Sequence, residues 1–306
     1  MTAGHLQRPR KVSVVGLGVM GAGFARHLRA AGHDVRGYDP DPARRELCRD
    51  FDISVTDDAA SAITGAEFVL CSLPSASALR QTVELATAVA SMTAREARAL
   101  FIELSTLDLP CKLDARLALS AQGYEMLDCP VSGTGAQAAA GEVVVYASGE
   151  TTEFDSAKTV LESFSAAVFH LGAFGNGTRM KLIANLLVAV HNAAAAEAIT
   201  MAECAGIDSQ LFVDIITAGG AAGSRVLELR GPMMAARQYT PATMRLDLWQ
   251  KDLGFITNYA KEVAAPTPLF DAALPLYTAA LKSGLAEADT AAICEVLRGM
   301  RADSDR

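Results

Sequence analysis

The chain has 306 residues, of which 51% are hydrophobic, and carries a formal net charge of -8 at pH 7. This length exceeds what one hydrophobic core usually supports, so we expect two domains. The acidic balance argues against nucleic acid or an anionic membrane as the main partner. The six cysteines show no paired spacing and no apolar signal segment opens the sequence. Both features predict a protein of the reducing cytoplasm.

Short apolar runs alternate with helix-like segments through the first half of the chain. The predicted strands are the runs KVSVVG, DVRGYD, EFVLCSLP, ALFIELS, YEMLDCPV and EVVVYASG. The predicted helices are Gly18–Ala31, a segment beginning near Pro42, Ser77–Ala90 and Leu109–Ala121. Strands that alternate with helices predict one parallel sheet with right-handed crossovers.

After about Gly175 the pattern becomes helical throughout. A run of helix formers extends from Met180 to Ala205, which is about seven turns. Its polar residues, such as Asn185 and Asn192, favour a buried helix over a membrane span. Further helices are predicted at Ser209–Thr217, Arg225–Ala236, Leu246–Val263, Leu269–Ser283 and Asp289–Met300. We therefore predict an α/β domain over residues 1–174, joined by the long helix to an all-helical domain over residues 175–306.

A glycine-rich turn stands between the first predicted strand and the first predicted helix. Gly16, Gly18 and Gly21 form the pattern G-x-G-x-x-G, with Val19 and Met20 inside it. The first glycine permits a tight turn, the second lets a pyrophosphate approach the backbone, and the third lets the helix pack on the strand. The helix amino terminus then offers free N–H groups to the phosphates. This pattern predicts a Rossmann-type dinucleotide-binding domain, with these five residues against the cofactor.

The end of the second predicted strand indicates which dinucleotide is bound. Asp39 lies there, about 18 residues beyond Gly21, where a carboxylate accepts hydrogen bonds from the adenine ribose. A carboxylate repels a 2′-phosphate, so Asp39 favours NAD over NADP. Alternatively, Asp39 begins a turn or caps the next helix. Arg44 and Arg45 are close enough in sequence to leave NADP open.

Four segments, taken in order, resemble the β-hydroxyacid dehydrogenase family, which includes 3-hydroxyisobutyrate dehydrogenase and tartronate semialdehyde reductase. They are GLGVMGAGFARHL from Gly16, DCPVSGTGAQAAAG from Asp128, GNGTRMKLIANLL from Gly175 and KDLGFITNYAKEVAAPTPL from Lys251. The resemblance covers nearly the whole chain. It is nearest to the branch that acts on small polar acids such as threonate or tartronate semialdehyde.

The resemblance assigns acid–base catalysis to Lys181. Oxidation of an alcohol requires a hydride acceptor and a base for the hydroxyl proton. Burial beside the nicotinamide would lower the pKa of an amine toward the range in which it can exchange that proton. Asn185, one helical turn further on, can orient the lysine or the substrate. The alternative for Lys181 is a solvated surface lysine.

The remaining predicted site residues bind the substrate carboxylate or the cofactor. Ser132 and Gly133 offer a hydroxyl and N–H groups to an anion, although an ordinary turn is the alternative. The family usually reads Ser-Gly-Gly here, and Thr134 replaces the second glycine. Its Cβ would disfavour a positive φ and narrow the loop, while its hydroxyl could contact a polar substrate. By resemblance, Lys251 lies near both the nicotinamide and the substrate.

The carboxyl ends of the predicted strand runs EFVLCSLP and ALFIELS could line the nicotinamide ribose. Leu73 and Pro74 end the first run and Thr106 follows the second, at strand ends where open α/β sheets bind ligands. Simple loop capping is the alternative. The histidines show neither metal-ligand spacing nor an acidic partner, so we expect no metal site.

These residues predict an NAD-dependent oxidoreductase that transfers a hydride between a nicotinamide and a small β-hydroxy or polyhydroxy acid, or its semialdehyde. Two alternatives remain open. Imine reductases share the fold but usually lack the catalytic lysine, and non-catalytic relatives lose the lysine and carry basic extensions. The apolar surface of the long helix predicts a homodimer or homotetramer.

Overall fold

The computed structural model describes residues 8–90 and 98–304 of the chain. The described residues fall into two compact units, which divide between Lys181 and Leu182. The amino-terminal unit contains both strands and helices. In the carboxyl-terminal unit, the described residues form helices and their connections, with a single isolated β-bridge between Arg245 and Asp289.

The strands of the amino-terminal unit are β1 Lys11–Val15, β2 Asp34–Tyr38, β3 Ser54–Val55, β4 Phe68–Cys71, β5 Leu100–Glu103, β6 Glu125–Asp128, β7 Val131–Ser132, β8 Val143–Ala147 and β9 Ser165–His170. The first six form a parallel sheet in the order β3-β2-β1-β4-β5-β6. This is the strand order of a Rossmann fold, whose ligands bind at the carboxyl ends of the strands. The predicted α/β class and Rossmann-type sheet are confirmed.

The last part of the predicted strand series is wrong. The run YEMLDCPV is split after Asp128, and EVVVYASG does not join the parallel sheet. Instead β7, β8 and β9 form a second sheet, in which β7 runs antiparallel to β8. Pro130 has no N–H for a sheet ladder, whereas its carbonyl accepts a hydrogen bond from the Tyr146 N–H at 3.0 Å. The proline therefore ends β6 and turns the chain toward β8.

The helices are α1 Val19–Ala30, α2 Pro42–Arg49, α3 Ala59–Ile63, α4 Ala76–Ala90, α5 Leu109–Ala121, α6 Gly135–Ala140, α7 Thr151–Glu162, α8 Asn176–Cys204, α9 Ser209–Thr217, α10 Arg225–Ala236, α11 Leu246–Glu262, α12 Pro268–Lys282 and α13 Ile293–Ser304. The predicted helices are found within a few residues of their expected bounds. The last one opens with a 3₁₀ turn over Thr290–Ala292. None of the predicted elements corresponds to β3, α3, α6, α7 or β9.

The apolar residues of the parallel sheet alternate between its two faces. Val12 and Val14 of β1 belong to one buried cluster, together with Phe24 and Leu28 of α1. Val15, from the same strand, belongs to the cluster on the other side. Successive side chains of a strand point to opposite faces, so helices must cover both faces of this sheet. The helical unit has a separate core that is built around α8, α11 and α12.

By length and composition alone, α8 is a candidate membrane span. Its most apolar 18-residue window has a mean hydropathy of 1.5, and 44% of that window is buried inside the protein. Asn185 and Asn192 are also buried on this helix, and the Asn192 amide donates to the Tyr277 hydroxyl and the Thr290 carbonyl. Buried and paired polar side chains of this kind are expected of a core helix.

Candidate active site

The glycines of the G-x-G-x-x-G turn differ in what surrounds them. A Cβ built on Gly21 would lie 1.9 Å from the Gly16 carbonyl oxygen, so the fold itself requires a glycine there. Gly18 has an ordinary φ of -65°, and a Cβ on it would approach only the Arg44 guanidinium, at 3.5 Å. Neither backbone strain nor internal packing therefore accounts for Gly18. The open space beside Gly18 is what the predicted approach of a pyrophosphate to the loop requires.

Asp39 is buried at the end of β2, and its carboxylate holds the glycine turn. One oxygen accepts the Leu17 N–H at 2.8 Å and the other accepts the Asp41 N–H at 2.9 Å. The half-exposed Arg44 lies 3.5 Å from the first oxygen. Helix α2 is capped by Asp41, which accepts the Ala43 N–H, so Asp39 is not the cap. Each carboxylate oxygen keeps a second lone pair with which it could accept from a ribose hydroxyl.

The loop predicted to bind a carboxylate joins β7 to α6. Gly133 has a φ of +148°, and a Cβ there would lie 2.9 Å from Val143. Thr134 has a φ of -94°, an extended value that its Cβ permits without backbone strain. The Thr134 hydroxyl accepts the Gln137 N–H, and the Gln137 side chain accepts the Thr134 N–H at 3.0 Å. Thr134 thus begins α6 with a capping box.

The glycine turn and the carboxylate loop contact each other. A Cβ on Gly135 would lie 2.3 Å from Val19, and a Cβ on Gly23 would lie 3.0 Å from the Ala138 backbone. Helices α1 and α6 are therefore packed with little space between them. Apart from this contact, Val19 is 77% exposed. The predicted cofactor and carboxylate sites are thus neighbours within the amino-terminal unit.

Helix α8 begins at Asn176, four residues before the predicted start. The Gly177 N–H donates to the Ser148 hydroxyl at 2.9 Å, and the Thr178 N–H donates to an Asp128 carboxylate oxygen at 2.7 Å. A Cβ on Gly177 would lie 2.7 Å from the Asp128 carbonyl oxygen, so this turn lies directly against β6. The negative charge of Asp128 also interacts favourably with the partial positive charge at the amino terminus of the helix. Lys181 therefore lies in the second turn of α8, not at its opening.

A buried lysine that no sequence motif predicted lies on α5. Lys112 of α5 is fully buried, and its Nζ lies 2.6 Å from Glu103 and 2.8 Å from Asp128. Burial alone would lower the pKa of Lys112, but the two carboxylates outweigh burial and raise it. Burial raises the pKa of Glu103, and Lys112 offsets only part of that change. In the sequence, the apolar runs of β5 and β6 each end in a carboxylate, Glu103 and Asp128. These two acidic residues were the available sign that a buried cation lies nearby.

The loop after β4 is attached to the loop after β5. The Ser105 hydroxyl accepts the Leu73 N–H at 2.7 Å, and the Ser105 N–H donates to Glu103 at 3.0 Å. Leu73, Pro74 and Thr106 thus follow strand ends that are held together. Their predicted contacts with the cofactor stay predictions.

Two predicted residues belong to the helical unit. The Asn185 amide donates to an Asp252 carboxylate oxygen at 3.0 Å, and both side chains are buried. Lys251 is adjacent to Asp252 in α11, with its Nζ 3.9 Å from the other oxygen. Like Lys112 and Glu103, Asp252 was not predicted from the sequence.

The family models match both halves of the chain. Residues 11–172 match a model described as the NAD binding domain of 6-phosphogluconate dehydrogenase. Residues 175–297 match a model described as the NAD-binding region of NADP-dependent 3-hydroxyisobutyrate dehydrogenase. Together they cover nearly all of the described chain.

Relatives match over nearly their whole length. L-threonate dehydrogenase of Escherichia coli K12 is 33% identical over 291 residues, which are 94% of this chain and 95% of the relative. The solved 3-hydroxyisobutyrate dehydrogenase of Salmonella typhimurium has a TM-score of 0.83 at 31% identity, covering 93% of this chain and 99% of that one. The Mycobacterium tuberculosis 3-hydroxyisobutyrate dehydrogenase, solved with L-serine, has a TM-score of 0.83 at 28% identity, covering 95% and 100%. Imine reductases at 15–19% identity share the fold alone.

Proposed function

This chain belongs to the β-hydroxyacid dehydrogenase family of NAD-dependent oxidoreductases, and from that premise we propose that Lys181 exchanges the hydroxyl proton of a small β-hydroxy or polyhydroxy acid. When bound, NAD supplies the hydride acceptor. Lys181 takes the proton in oxidation and returns it in reduction of the semialdehyde. Asn185, held by Asp252, orients the lysine or the substrate.

The substrate carboxylate is held by Ser132 and Gly133, whose hydroxyl and N–H groups can hold an anion through hydrogen bonds without adding a formal charge. Thr134 caps the start of α6, which follows the loop that holds the carboxylate. By resemblance, Lys251 is assigned to the substrate and the nicotinamide. A threonate-like polyhydroxy acid is the substrate class we favour, because a threonate dehydrogenase is among the relatives with the highest identity.

NAD is the cofactor we expect the enzyme to prefer. Gly16, Gly18, Val19, Met20 and Gly21 bind its pyrophosphate, and the ribose lies against Asp39. Leu73, Pro74 and Thr106 line the nicotinamide side. The buried Asp39 carboxylate disfavours a 2′-phosphate, while the neighbouring Arg44 is the group that would accommodate one.

One observation supports this assignment most strongly. Asp128, at the end of β6, binds Thr178 in the first turn of α8. Ser132 follows Asp128 by only four residues. The candidate base and the carboxylate loop are thereby attached to the same short segment. Acid–base catalysis requires such fixed geometry between the proton acceptor and the bound substrate.

The test is a panel of threonate, glycerate, 3-hydroxyisobutyrate and serine with NAD or NADP, followed by the absorbance of the reduced cofactor. We expect turnover with at least one acid and a higher kcat/KM with NAD. Absence of turnover across the panel, with the aldehyde acids also inert in the reverse direction, would refute the proposal.

Imine reduction and non-catalytic dinucleotide binding are the alternative functions. The first would give cofactor oxidation with cyclic imines and none with aldehyde acids. The second would give NAD binding with no turnover of either class. The presence of Lys181 argues against both.

We also infer a cytoplasmic homodimer or homotetramer, with domains at residues 1–174 and 175–306. Met180, Ile183 and Leu187 of α8 expose apolar side chains at helical spacing. Apolar rows of this kind favour association. Light scattering at micromolar concentration should show a dimer or a larger assembly, and a monomer would exclude this inference.

A further inference from the structure

The Lys112 ammonium makes three short contacts in the interior of the amino-terminal unit. Its Nζ lies 2.6 Å from Glu103 Oε2, 2.8 Å from Asp128 Oδ1 and 2.8 Å from the Ser105 carbonyl oxygen. The side chains of Lys112, Glu103 and Asp128, which form this ion cluster, are fully buried. Buried ion pairs are weak contributors to stability because the charges must be desolvated, and apolar side chains would fill the same space at lower cost. The cluster therefore calls for an explanation other than stability.

The first branch of the cluster reaches the loops that follow β4 and β5. Ser105 is held by Lys112 at its carbonyl oxygen, and by Glu103 at its N–H. The Ser105 hydroxyl in turn accepts the Leu73 N–H at 2.7 Å. Lys112 and Glu103 thus fix the backbone immediately before Thr106. Through Ser105 they also fix the start of the Leu73–Pro74 turn.

The second branch reaches the helix that carries the candidate base. Asp128 Oδ1 contacts both Lys112 and the Thr178 hydroxyl at 2.8 Å, and Asp128 Oδ2 accepts the Thr178 N–H at 2.7 Å. Lys181 follows Thr178 by three residues, so it lies one turn further along the same side of α8. The orientation of the first turn of this helix therefore sets where the Lys181 side chain begins.

We propose that Lys112 is a positioning residue for hydride transfer, because one buried ammonium joins the two nicotinamide-side loops to the first turn of the helix that carries Lys181. This inference rests on the proposed function, since it assumes the roles given to Lys181 and to those loops. Lys112 itself touches neither substrate nor cofactor. Its contribution is to keep the proton acceptor and the cofactor loops in register.

Two mild variants separate the branches. Thr178→Val removes one hydroxyl of the α8 branch, and we expect kcat to fall about tenfold while the Kd for NAD is unchanged. Ser105→Ala removes the hydroxyl that holds Leu73, and we expect the Kd for NAD to rise about fivefold with kcat little changed. Lys112→Met should show both changes, each larger than in the single-branch variants.

The matched control is Leu119→Ala. Leu119 is fully buried on the same helix as Lys112 and is not part of the ion cluster. We expect this variant to lose thermal stability while it keeps kcat and the Kd for NAD. If Leu119→Ala reproduces both catalytic changes at an equal loss of Tm, the cluster is only structural and the proposal is overturned.

Hydrogen exchange of the cofactor-free protein supplies a readout that does not depend on activity. Thr178→Val and Lys112→Met should speed amide exchange in residues 176–181, and Leu119→Ala should not. Unchanged exchange in Thr178→Val, which removes only a hydroxyl, would overturn the proposal even if Lys112→Met fails to fold. If the wild-type protein turns over no hydroxy acid, the proposed function fails, while NAD titration and exchange still decide the role of the cluster.

Discussion

At the residue scale, the glycine turn contains two kinds of glycine, one required by packing within the protein and one beside open space. Gly21 is demanded by the protein, because any Cβ would collide with the Gly16 carbonyl. Gly18 is not, because its φ is ordinary and the space beside it is open. The two positions should therefore respond differently to the same added methyl group.

Gly18→Ala should leave the free energy of unfolding within about 0.5 kcal/mol of wild type and raise the Kd for NAD about tenfold or more. Gly21→Ala should lower stability by about 1–3 kcal/mol through overpacking. Thermal unfolding and calorimetric titration with NAD measure both effects. Unchanged NAD affinity in Gly18→Ala would show that the pyrophosphate does not rest on this position.

Residue types and spacing predicted the glycine turn and Asp39, whereas Lys181 was assigned by the resemblance to the family. They did not predict Lys112, Glu103 or the pairing of Asn185 with Asp252. Those contacts join residues that are 9 to 67 positions apart in sequence, and no local pattern records which distant side chain a buried charge will meet.

At the element scale, the start of α8 shows how a distant contact changes a helix boundary. The segment Asn176–Thr178 contains a glycine and poor helix formers, so propensity alone starts the helix at Met180. Ser148 and the Asp128 carboxylate instead satisfy the first free N–H groups. This is helix capping by other elements, and it stabilises a turn that the local sequence does not favour.

Helix α6 begins with a capping box at Thr134, where the family usually has glycine. Thr134→Ala should lower the free energy of unfolding by about 1 kcal/mol, because the Gln137 N–H loses its acceptor. Thr134→Ser keeps the hydroxyl and is the matched control, with stability expected within about 0.3 kcal/mol of wild type. Chemical unfolding measures the difference. Equal stability of the two variants would mean that the cap contributes nothing.

At the scale of the whole molecule, the α/β and helical halves were predictable because hydrophobic periodicity changes once along the chain. The second sheet was not, since it depends on the direction in which Pro130 turns the backbone. Strand β3 has only two residues, so its sequence contains almost no apolar pattern from which a strand could be predicted.

The helical unit should be sensitive to acid through Asp289. Burial alone would raise the pKa of Asp289, but Arg230 and the N–H groups of Ala291 and Met244 hold it below its ordinary value. A carboxylate with a depressed pKa stabilises the folded state at neutral pH, and this stabilisation is lost as pH falls below about 4.

The Tm of the wild-type protein should therefore fall steeply from pH 5 to about pH 3. Asp289→Asn should have a lower Tm at pH 7 and a smaller decline over the same range. Calorimetric scans across this range test the prediction. Parallel pH profiles for the two proteins would show that Asp289 does not contribute to the acid sensitivity.

The proposal that Lys181 exchanges the substrate proton is tested most directly by comparing Lys181→Met with the wild-type enzyme, using the acid of the panel with the highest kcat/KM. Replacement of the amine by an uncharged chain of similar length should lower kcat/KM by about 10²- to 10⁴-fold. The Kd for NAD, measured on the same preparation, should stay within about twofold of the wild-type value. A Lys181→Met enzyme that retains turnover within tenfold of wild type would contradict the proposal that Lys181 exchanges the substrate proton.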